Sequence, residues 1–537
     1  MAVTPDTTIK ILKVPIEIDN LNQLTFSSAS AQFDYFNSCP KIVEEELYYQ
    51  RKDNYILFPK HIDEIIEYNY VMYQNSNYSN KWFYAFITNM EYENDGCTRI
   101  YIETDVIQTW YFEITYKASF VEREHVNDDT IGKNVLPEGL QLGEYVTNKK
   151  AQWLNNLDGL YTNSNLAIVI GVTSDKDKNA KAGMQVDGIY SGVTYYGFEN
   201  STNDIALLNS WLEDYAQNGI SEAIKCMFMI PKELIVIQNN THLIPGSSAT
   251  HTRFINTGGT TPVEKSIDLA NTNLDGYSPV NNKLKTFPYS FLMVSNNSGS
   301  DVIYRYEDFY TVSNNVKTLI ANPSFKIESV LTPSGSVRMI PYDYKGVHEN
   351  DLEGLNMGKF PVCSWATDVY TNWLTQNGVN IALSVAGSLL ATTTGAITGN
   401  AVGVASGILG VANTLGEIYK ESLTPPQSEG NINAGDVVTS SGNNDFHFEV
   451  RSIKKEMAQI IDSYFSMYGY KVNEVKVPNI TGRTYWNYVK TINCNVEGNI
   501  PQNDIQKIKD IFNNGVTFWH DPTKFLDYTQ NNTIVTP

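Results

Sequence analysis

The chain has 537 residues, enough for three or four domains with sizeable cores, and carries 39 Lys and Arg residues against 59 Asp and Glu residues. The net charge of −20 argues against a protein that grips nucleic-acid phosphates, because such proteins cluster Lys and Arg. The five cysteines are widely separated, without a CxxC pair, and the N-terminus lacks the apolar run of an export signal. We therefore expect synthesis in the reducing cytoplasm of the producing cell.

The first 145 residues predict a β-rich domain. Lys81–Glu93 and Arg99–Ile114 flank residues 94–96, whose Asn-Asp-Gly sequence is a strong signal for a hairpin between two strands. Phe120–Tyr145 predicts an exposed, extended arm or loop. The domain is therefore predicted to span residues 1–145 and to include this arm.

Residues 146–345 predict one or more lobes of mixed β and α structure. Asn165–Val172 is an apolar run typical of a strand, and Thr202–Asn218 predicts a helix. Loops rich in Asn, Thr, Ser and Gly connect such elements. We assign residues 346–375 to a connector that leads into the most unusual part of the chain.

A 48-residue stretch, Val369–Gly416, contains no Asp, Glu, Lys, Arg or His. Within it, Ala396–Leu415 has about the 20 residues that a bilayer-spanning helix needs, and its strongly apolar side chains favour insertion by about 2–4 kcal/mol in total. Because Asn400 and Asn413 oppose that sum, a single copy is expected to insert weakly. We call Val379–Gly416 the apolar segment, and its candidate membrane-active residues are Val379, Ile381, Leu383, Val385, Leu389, Leu390, Ile397, Gly399, Val402, Gly403, Val404, Gly407, Ile408, Leu409, Val411 and Leu415.

Glycine spacing gives the apolar segment a second property. Gly399, Gly403 and Gly407 form GxxxGxxxG, which places them on one helix face where another helix packs closely in lipid. Glycines lower helix stability in water, whereas in a bilayer the backbone must pair internally as a helix. Residues 422–445 have linker composition. Residues 376–446 are therefore predicted to form a conditional membrane-active loop with a flexible linker, and a buried Gly/Ala-rich hairpin is the alternative.

Residues 447–537 predict a compact α+β domain. Ile453–Tyr468 places apolar residues at helical spacing, and Asp504 is a candidate N-cap of a shorter helix. The predicted strands are Lys471–Val477, Trp486–Val496 and Val516–His520.

Catalytic motifs are absent from the sequence. It has no HExxH, P-loop, GxSxG or GxGxxG, and its seven histidines lack metal-ligand spacing. The neighbours His348–Glu349 and Glu122–His125 are more consistent with chance than with acid–base pairs. We predict no catalytic residue, no metal and no cofactor. A cell-wall-degrading enzyme stays open as an alternative, because paired catalytic acids leave no local motif.

Two stretches are rich in Tyr and Trp, namely Tyr70–Tyr84 and Tyr195–Trp211. Such aromatics bind sugars in some proteins, so a receptor-binding appendage is a further alternative. More often they form sheet surfaces and subunit contacts, and we favour that interpretation.

Several stretches in a fixed order carry a family resemblance. They are YIETDVIQTWYFEI (Tyr101–Ile114), FVEREHV (Phe120–Val126), LPEGLQLGEY (Leu136–Tyr145), NNKLKTFPYSFLMVSN (Asn281–Asn296) and FPVCSWATDVYTNWLTQN (Phe360–Asn377). The last of them opens directly onto the apolar segment. With these stretches, the sequence resembles the tail knob, or distal tail tube, proteins of small short-tailed phages of Gram-positive bacteria, the Salasvirus or picovirus type.

The resemblance implies a mainly β, multi-domain virion protein with α+β parts that forms a hexameric ring or tube at the tail tip. In that family an apolar loop plugs the tube and leaves it to penetrate the host cytoplasmic membrane, opening a path for DNA. Residues 1–145 and 447–537 would then be tube domains, and residues 146–345 the knob. The implied partners are other copies of the chain, other tail proteins such as the lower collar or proximal tail tube, the host membrane, and transiting viral DNA bound without sequence specificity.

Overall fold

The computed structural model describes residues 7–47, 49–50, 55–75, 81–154, 165–173, 185–186, 189–190, 194–199, 201–217, 223–238, 242–243, 250–251, 254–266, 273–331, 336–357, 362–364 and 445–535. The α-helices in these residues are α1 (Ala29–Ser38), α2 (Ile62–Ile65), α3 (Val106–Trp110), α4 (Thr202–Gln217), α5 (Lys455–Tyr468) and α6 (Gln502–Asn514). Short 3-10 turns occur at Lys232–Leu234, Asn282–Lys285, Tyr306–Asp308, Asp351–Glu353 and Pro522–Lys524.

The strands follow in chain order. Those before residue 153 are β1 (Thr7–Leu12), β2 (Asn22–Leu24), β3 (Lys41–Leu47), β4 (Tyr49–Gln50), β5 (Tyr55–Phe58), β6 (Tyr70–Asn75), β7 (Trp82–Asn94), β8 (Cys97–Thr104), β9 (Thr115–Tyr116), β10 (Ser119–Glu124) and β11 (Tyr145–Gln152). The next are β12 (Leu166–Val172), β13 (Gln185–Val186), β14 (Ile189–Tyr190), β15 (Thr194–Glu199), β16 (Ile224–Pro231), β17 (Ile235–Gln238), β18 (His242–Leu243), β19 (Thr250–His251), β20 (Phe254–Thr260) and β21 (Val263–Ser266). The last are β22 (Ser290–Ser295), β23 (Asp301–Tyr304), β24 (Tyr310–Ser313), β25 (Val316–Leu319), β26 (Ser324–Glu328), β27 (Arg338–Tyr344), β28 (Val347–Glu349), β29 (Leu355–Asn356), β30 (Val362–Ser364), β31 (His447–Ile453), β32 (Tyr470–Lys476), β33 (Trp486–Ile492), β34 (Val496–Glu497) and β35 (Val516–Trp519).

The chain divides into two compact units. The first unit contains Met1–Leu142, Pro279–Leu284 and Lys455–Pro537, and the second contains Gly143–Ser278 and Lys285–Lys454. The five-part division given by the sequence (1–145, 146–345, 346–375, 376–446 and 447–537) stays a prediction.

A seven-stranded antiparallel sheet in the first unit has the order β3-β1-β6-β7-β8-β5-β4. Its β7–β8 hairpin is the one predicted from Asn-Asp-Gly: Asn94 pairs with Cys97, so Asp95 and Gly96 form the turn. Alternate residues of β8 are buried, and Ile100 and Ile102 belong to the sheet's apolar core. The period of two in the sequence therefore matches a sheet with one covered face.

A five-stranded sheet in the same unit, β2-β35-β33-β10-β32, combines strands from both ends of the chain. Strands β2 and β35 are parallel, and the other neighbours are antiparallel. Helix α6 packs on one face, where Ile508 and Phe512 join Val489 and Phe518 in an apolar core. This α+β arrangement includes β10, from the N-terminal part of the chain, between β33 and β32.

The second unit is built from a six-stranded sheet (β17-β20-β15-β12-β16-β30), a four-stranded sheet (β11-β31-β22-β23) and a sheet of β21-β26-β27-β28 with β29 beside β27. Every residue of β12 is buried, as its continuous apolar sequence predicts. One hydrophobic core includes Val169 of β12, Val450 of β31 and Ile327 of β26. A shared core therefore holds the three sheets together.

The predicted fold class is confirmed in its coarser form: the described residues form a mainly β, multi-sheet protein with few helices. The helix predicted at Thr202–Asn218 is α4. The one predicted at Ile453–Tyr468 is α5, which begins two residues later because Ile453 ends β31.

Three local predictions were wrong. Arg99–Ile114 is not one strand, because Asp105 accepts a hydrogen bond from Gln108 N and begins helix α3. The arm or loop predicted at Phe120–Tyr145 is wrong for its first residues, because Ser119–Glu124 is strand β10 between β33 and β32, whereas residues 125–144 form neither helix nor strand. Asp504 is not an N-cap: Pro501 holds that position, and Asp504 accepts a hydrogen bond from Trp110 Nε1 at 2.9 Å.

Candidate functional site

The apolar segment, including every candidate membrane-active residue from Val379 to Leu415, lies outside the described residues. The strands on its two sides are described: β30 precedes it and β31 follows it, both in the second unit. The candidate site is therefore defined by these two strands, which we call the roots of the apolar segment.

The N-terminal root, β30, is an edge strand of the six-stranded sheet. It pairs antiparallel with β16, placing Ser364 opposite Cys226 and Val362 opposite Phe228. Cys226 and Phe228 are buried members of the main core of the second unit. The chain is thus fixed to a core strand just before residue 365.

The C-terminal root, β31, is paired on both sides, with β11 and with β22. Phe446, the residue before it, is fully buried, and its ring centroid lies 5.9 Å from that of Trp153. The main-chain N–H of Trp153 donates to Phe446 O at 3.1 Å. The chain therefore joins the core of the second unit at Phe446, immediately before β31.

Asp445 stands at the point where the chain re-enters this core. Its side chain is 1% exposed, and its oxygens accept hydrogen bonds from the main-chain N–H of Leu154 at 2.9 and 3.1 Å and of Phe446 at 2.7 Å. Burial raises the pKa of Asp445 to about 7, although these main-chain donors favour the charged form. A carboxyl group that changes charge near neutral pH thus anchors the C-terminal root.

The first unit contains a buried ion cluster that we call the clasp: Arg123, Glu138 and Lys283. Glu138 pairs with both cations, and its side chain is 1% exposed. It also accepts a hydrogen bond from Lys471 N at 3.0 Å. Burial lowers the pKa of Lys283, and the neighbouring Glu138 carboxylate opposes that shift. The clasp joins segments of the first unit that are far apart in the sequence.

Gly469 and Asp462 complete the surroundings of the clasp. Arg123 donates to Gly469 O at 2.7 Å, and Gly469 has a φ of +64°, where a side chain would also collide with Glu124 O. Asp462 accepts from Asn281 N at 3.0 Å and Asn281 Nδ2 at 2.7 Å. Local sequence patterns do not indicate this network, because its members interact across separations of 15 to 346 residues.

His125 is a buried histidine with a fixed proton position. Its Nδ1 accepts a hydrogen bond from Tyr488 N at 2.8 Å, so its Nε2 carries the proton and donates to Ser466 O at 3.1 Å. Burial lowers the pKa of His125 to about 3, and the Arg483 charge adds to the shift. His125 is therefore a neutral structural residue.

Neither suspected acid–base pair forms a catalytic arrangement. His348 is exposed and bonds Asp343 Oδ1 at 3.0 Å, while Glu349 pairs with Lys326 at 2.6 Å. Glu122 pairs with Lys490 at 2.9 Å. No three His, Cys, Asp or Glu side chains among the described residues converge as a metal site requires.

The aromatic stretches contribute to cores in the places that the structure describes. Tyr70, Tyr84, Tyr195 and Tyr196 are each at most 4% exposed. In the described part of the chain, no helix is both long and apolar enough to cross a membrane.

Two family models match the sequence. One, described as the C-terminal domain of the Bacillus phage phi29 tail knob protein gp9, matches residues 252–533. The other, described as the caudoviral major tail protein N-terminus, matches residues 5–116.

Whole-length relatives agree with these matches. Tail knob protein gp9 of Bacillus phage B103 is 27% identical and covers 97% of each chain. That of Bacillus phage phi29 is 26% identical and covers 96% of each. Among solved structures, the tail knob protein gp12 of bacteriophage C1 superposes with a TM-score of 0.65 at 15% identity, covering 98% of this chain and 100% of gp12, which shows the same fold.

Proposed function

This chain belongs to the tail knob protein gp9 family of phi29-like Bacillus phages, structural proteins of the phage tail, and from this premise we propose that its apolar segment enters the host cytoplasmic membrane during genome ejection. The observation that carries the proposal is the 48-residue stretch without a charged or histidine side chain, in a chain whose net charge is −20. Such a composition is compatible with hydrocarbon, where each charge costs several kcal/mol.

The roots support a role in which the segment acts without disturbing the body. Both are strands of the second unit. Strand β16, which pairs with β30, and strand β31 itself contribute side chains to one core. The chain on each side of the segment is therefore paired or packed with other described residues of the second unit. Helix formation in lipid, favoured by the GxxxGxxxG spacing, would then be coupled to transfer into the bilayer.

We further propose that six copies form a DNA-conducting tube with an acidic lumen. A channel for DNA must not bind phosphates, and each copy brings an excess of acidic over basic side chains. Several copies also offset the weak insertion of a single segment, because the glycine faces of neighbouring helices pack together. Six-fold rings with a central channel on electron-microscopy grids would support the tube, and Lys/Arg rings along that channel would contradict the acidic lumen.

Deletion of Val379–Gly416 tests the membrane role. It joins Gly378 to Glu417 and leaves β30, β31 and the linker unchanged. The deleted protein is expected to fold and assemble like the wild type but to release no dye from liposomes. Failure to fold would make the segment a core hairpin, and full leakage would place the membrane role elsewhere in the chain.

Single substitutions provide a matched pair within the segment. Val404→Asp is expected to suppress leakage, because a charge at the centre of a spanning helix costs about 2.5–3.5 kcal/mol, comparable to the whole favourable sum. Val404→Leu keeps the position apolar and is expected to leak like the wild type. Equal leakage by both variants would show that Val404 does not reach the hydrocarbon.

A further inference from the structure

The five-stranded sheet of the first unit has an apolar row on the face that α6 does not cover. In the ladders, Phe120 lies opposite Val475 on β32 and opposite Ile492 on β33. Residues opposite each other in a ladder project from the same face, so the three side chains form one row across three strands. They are 37%, 71% and 48% exposed, respectively. We call Phe120, Val475 and Ile492 the apolar row.

The two faces of this sheet differ in coverage. Val121 and Val489, which point to the opposite face, are fully buried, and Val489 packs with Phe512 of α6. On the apolar-row face, Trp486 at the far end of β33 is 1% exposed and contacts Tyr528. The residues that cover this face at Trp486 therefore do not extend along β33 as far as Ile492.

The apolar row continues onto helix α5. Along one side of α5, a groove of about 580 Å³ is lined by Ile460, Tyr464 and Tyr468 among others, and Ile460 is 62% exposed. The Tyr468 ring lies 5.2 Å from the ring of Tyr488 on β33, between centroids. The groove and the sheet face are thus adjacent parts of one surface.

Charge distinguishes this surface from the rest of the chain. Arg123 and Glu124 are buried, so the accessible charged side chains of β10, β32, β33 and the groove are Lys471, Lys476 and Lys490 against Glu122, Glu456 and Glu474. The whole chain, in contrast, has 39 basic against 59 acidic residues. Like charges across an interface oppose association, so two copies of this acidic chain meet with less repulsion at a surface of balanced charge, and another copy of the chain is the partner that we infer.

Strand β32 offers a second means of association. Within the described residues it pairs only with β10, which makes it an edge strand of the sheet. Edge strands present main-chain N–H and C=O groups that another chain can pair with. An exposed apolar row beside such an edge is typical of an interface rather than of a free surface.

We propose that the apolar row and the α5 groove form the contact surface for a neighbouring copy of this chain in the assembled tail knob. This inference rests on the proposed self-assembly and names the surface that carries it. The neighbouring copy buries the row and lies along β32. Charged substitutions in the row therefore disrupt assembly without touching the cores of either unit.

The double variant Phe120→Glu/Val475→Glu tests this surface by sedimentation velocity of the full chain. The apparent dissociation constant of the assembly is expected to rise at least about tenfold, because charges are placed in a desolvated interface. Val316→Glu is the matched control: Val316 is 62% exposed on β25 of the second unit, and assembly is expected to be unchanged.

A photo-crosslinking residue at position 475 provides a second measurement that does not weaken the interface. In the assembled wild-type background it is expected to yield a covalent dimer of the chain, and crosslinks confined within one chain would overturn the proposal. Rings that persist in the double variant would overturn the proposed contact surface but not the proposed ring. A wild-type chain that stays monomeric would overturn both, and loss of liposome binding by the double variant with intact assembly would make the row a membrane surface instead.

Discussion

Glu138 in the first unit and Asp445 in the second are both buried carboxyl groups, but their surroundings differ. Glu138 pairs with Arg123 and Lys283, two cations within the same buried cluster. Asp445 is held by main-chain N–H groups, and burial raises its pKa to about 7. At Asp445 the cost of burying the charge outweighs the main-chain donors, which favour the charged form. A pH-sensitive carboxyl group thus lies beside the C-terminal root of the apolar segment.

Removal of Glu138 is expected to give the largest effect. Glu138→Ala leaves Arg123 and Lys283 buried without a counter-charge, which typically costs about 3–5 kcal/mol. We therefore expect the first unit to unfold at much lower denaturant concentration, measured by tryptophan fluorescence. Glu144→Ala is the control, because Glu144 pairs with Lys454 at the exposed surface and is expected to change nothing measurable. Equal stability of the two variants would show that the clasp contributes little.

Asp445→Asn is expected to change the pH dependence of the second unit. The pKa of Asp445 rises from 3.8 to about 7 on folding, so its charged form opposes folding increasingly as the pH rises between these values. Asparagine has no such charge. The melting temperature of the variant relative to the wild type is therefore expected to increase from pH 5 to pH 8. A difference that does not change with pH would contradict the buried charge.

His125 gives the first unit the opposite pH dependence. Its pKa falls from 6.5 to about 3 on folding, so the stability that the neutral ring contributes is complete above about pH 6.5 and is lost as the pH falls toward 3. The ring stays neutral because its Nδ1 accepts a hydrogen bond from Tyr488 N and so cannot also hold a proton.

His125→Asn keeps an acceptor but cannot be protonated, so its stability relative to the wild type is expected to increase from pH 6.5 to pH 5. Between pH 8 and pH 5, we expect the stability of His125→Asn relative to the wild type to change less than that of Asp445→Asn. Only the part of this range below pH 6.5 affects the stability contributed by His125. A difference that stays constant on acidification would rule out a buried neutral histidine as the cause.

Local patterns predicted the parts of the fold that depend on neighbouring residues. The Asn-Asp-Gly turn located the β7–β8 hairpin, and the spacing of apolar residues located α5. In both, the deciding contacts lie within a few residues of each other. The same reasoning missed α3, because four of its residues are buried and no periodic polar face marks it as a helix.

Long-range pairing escaped the sequence patterns. Phe120 was assigned to an exposed arm, whereas β10 forms ladders with β32 and β33 from the C-terminal end of the chain. The partners of Glu138 are likewise remote, and nothing around Arg123 or Lys283 marks them as buried. The candidate membrane residues, in contrast, followed from composition alone, and their role stays a prediction because they lie outside the described residues.

The membrane role of the apolar segment is tested most directly by photolabelling from within the bilayer. Liposomes containing phospholipid with a diazirine in the acyl chain are incubated with the full protein and irradiated, and the labelled peptides are mapped by mass spectrometry. We expect the label in Val379–Gly416, concentrated in Ala396–Leu415. Label on Phe120, Val475 or the α5 groove, with none in the apolar segment, would contradict the proposal that this segment is the part that enters the membrane.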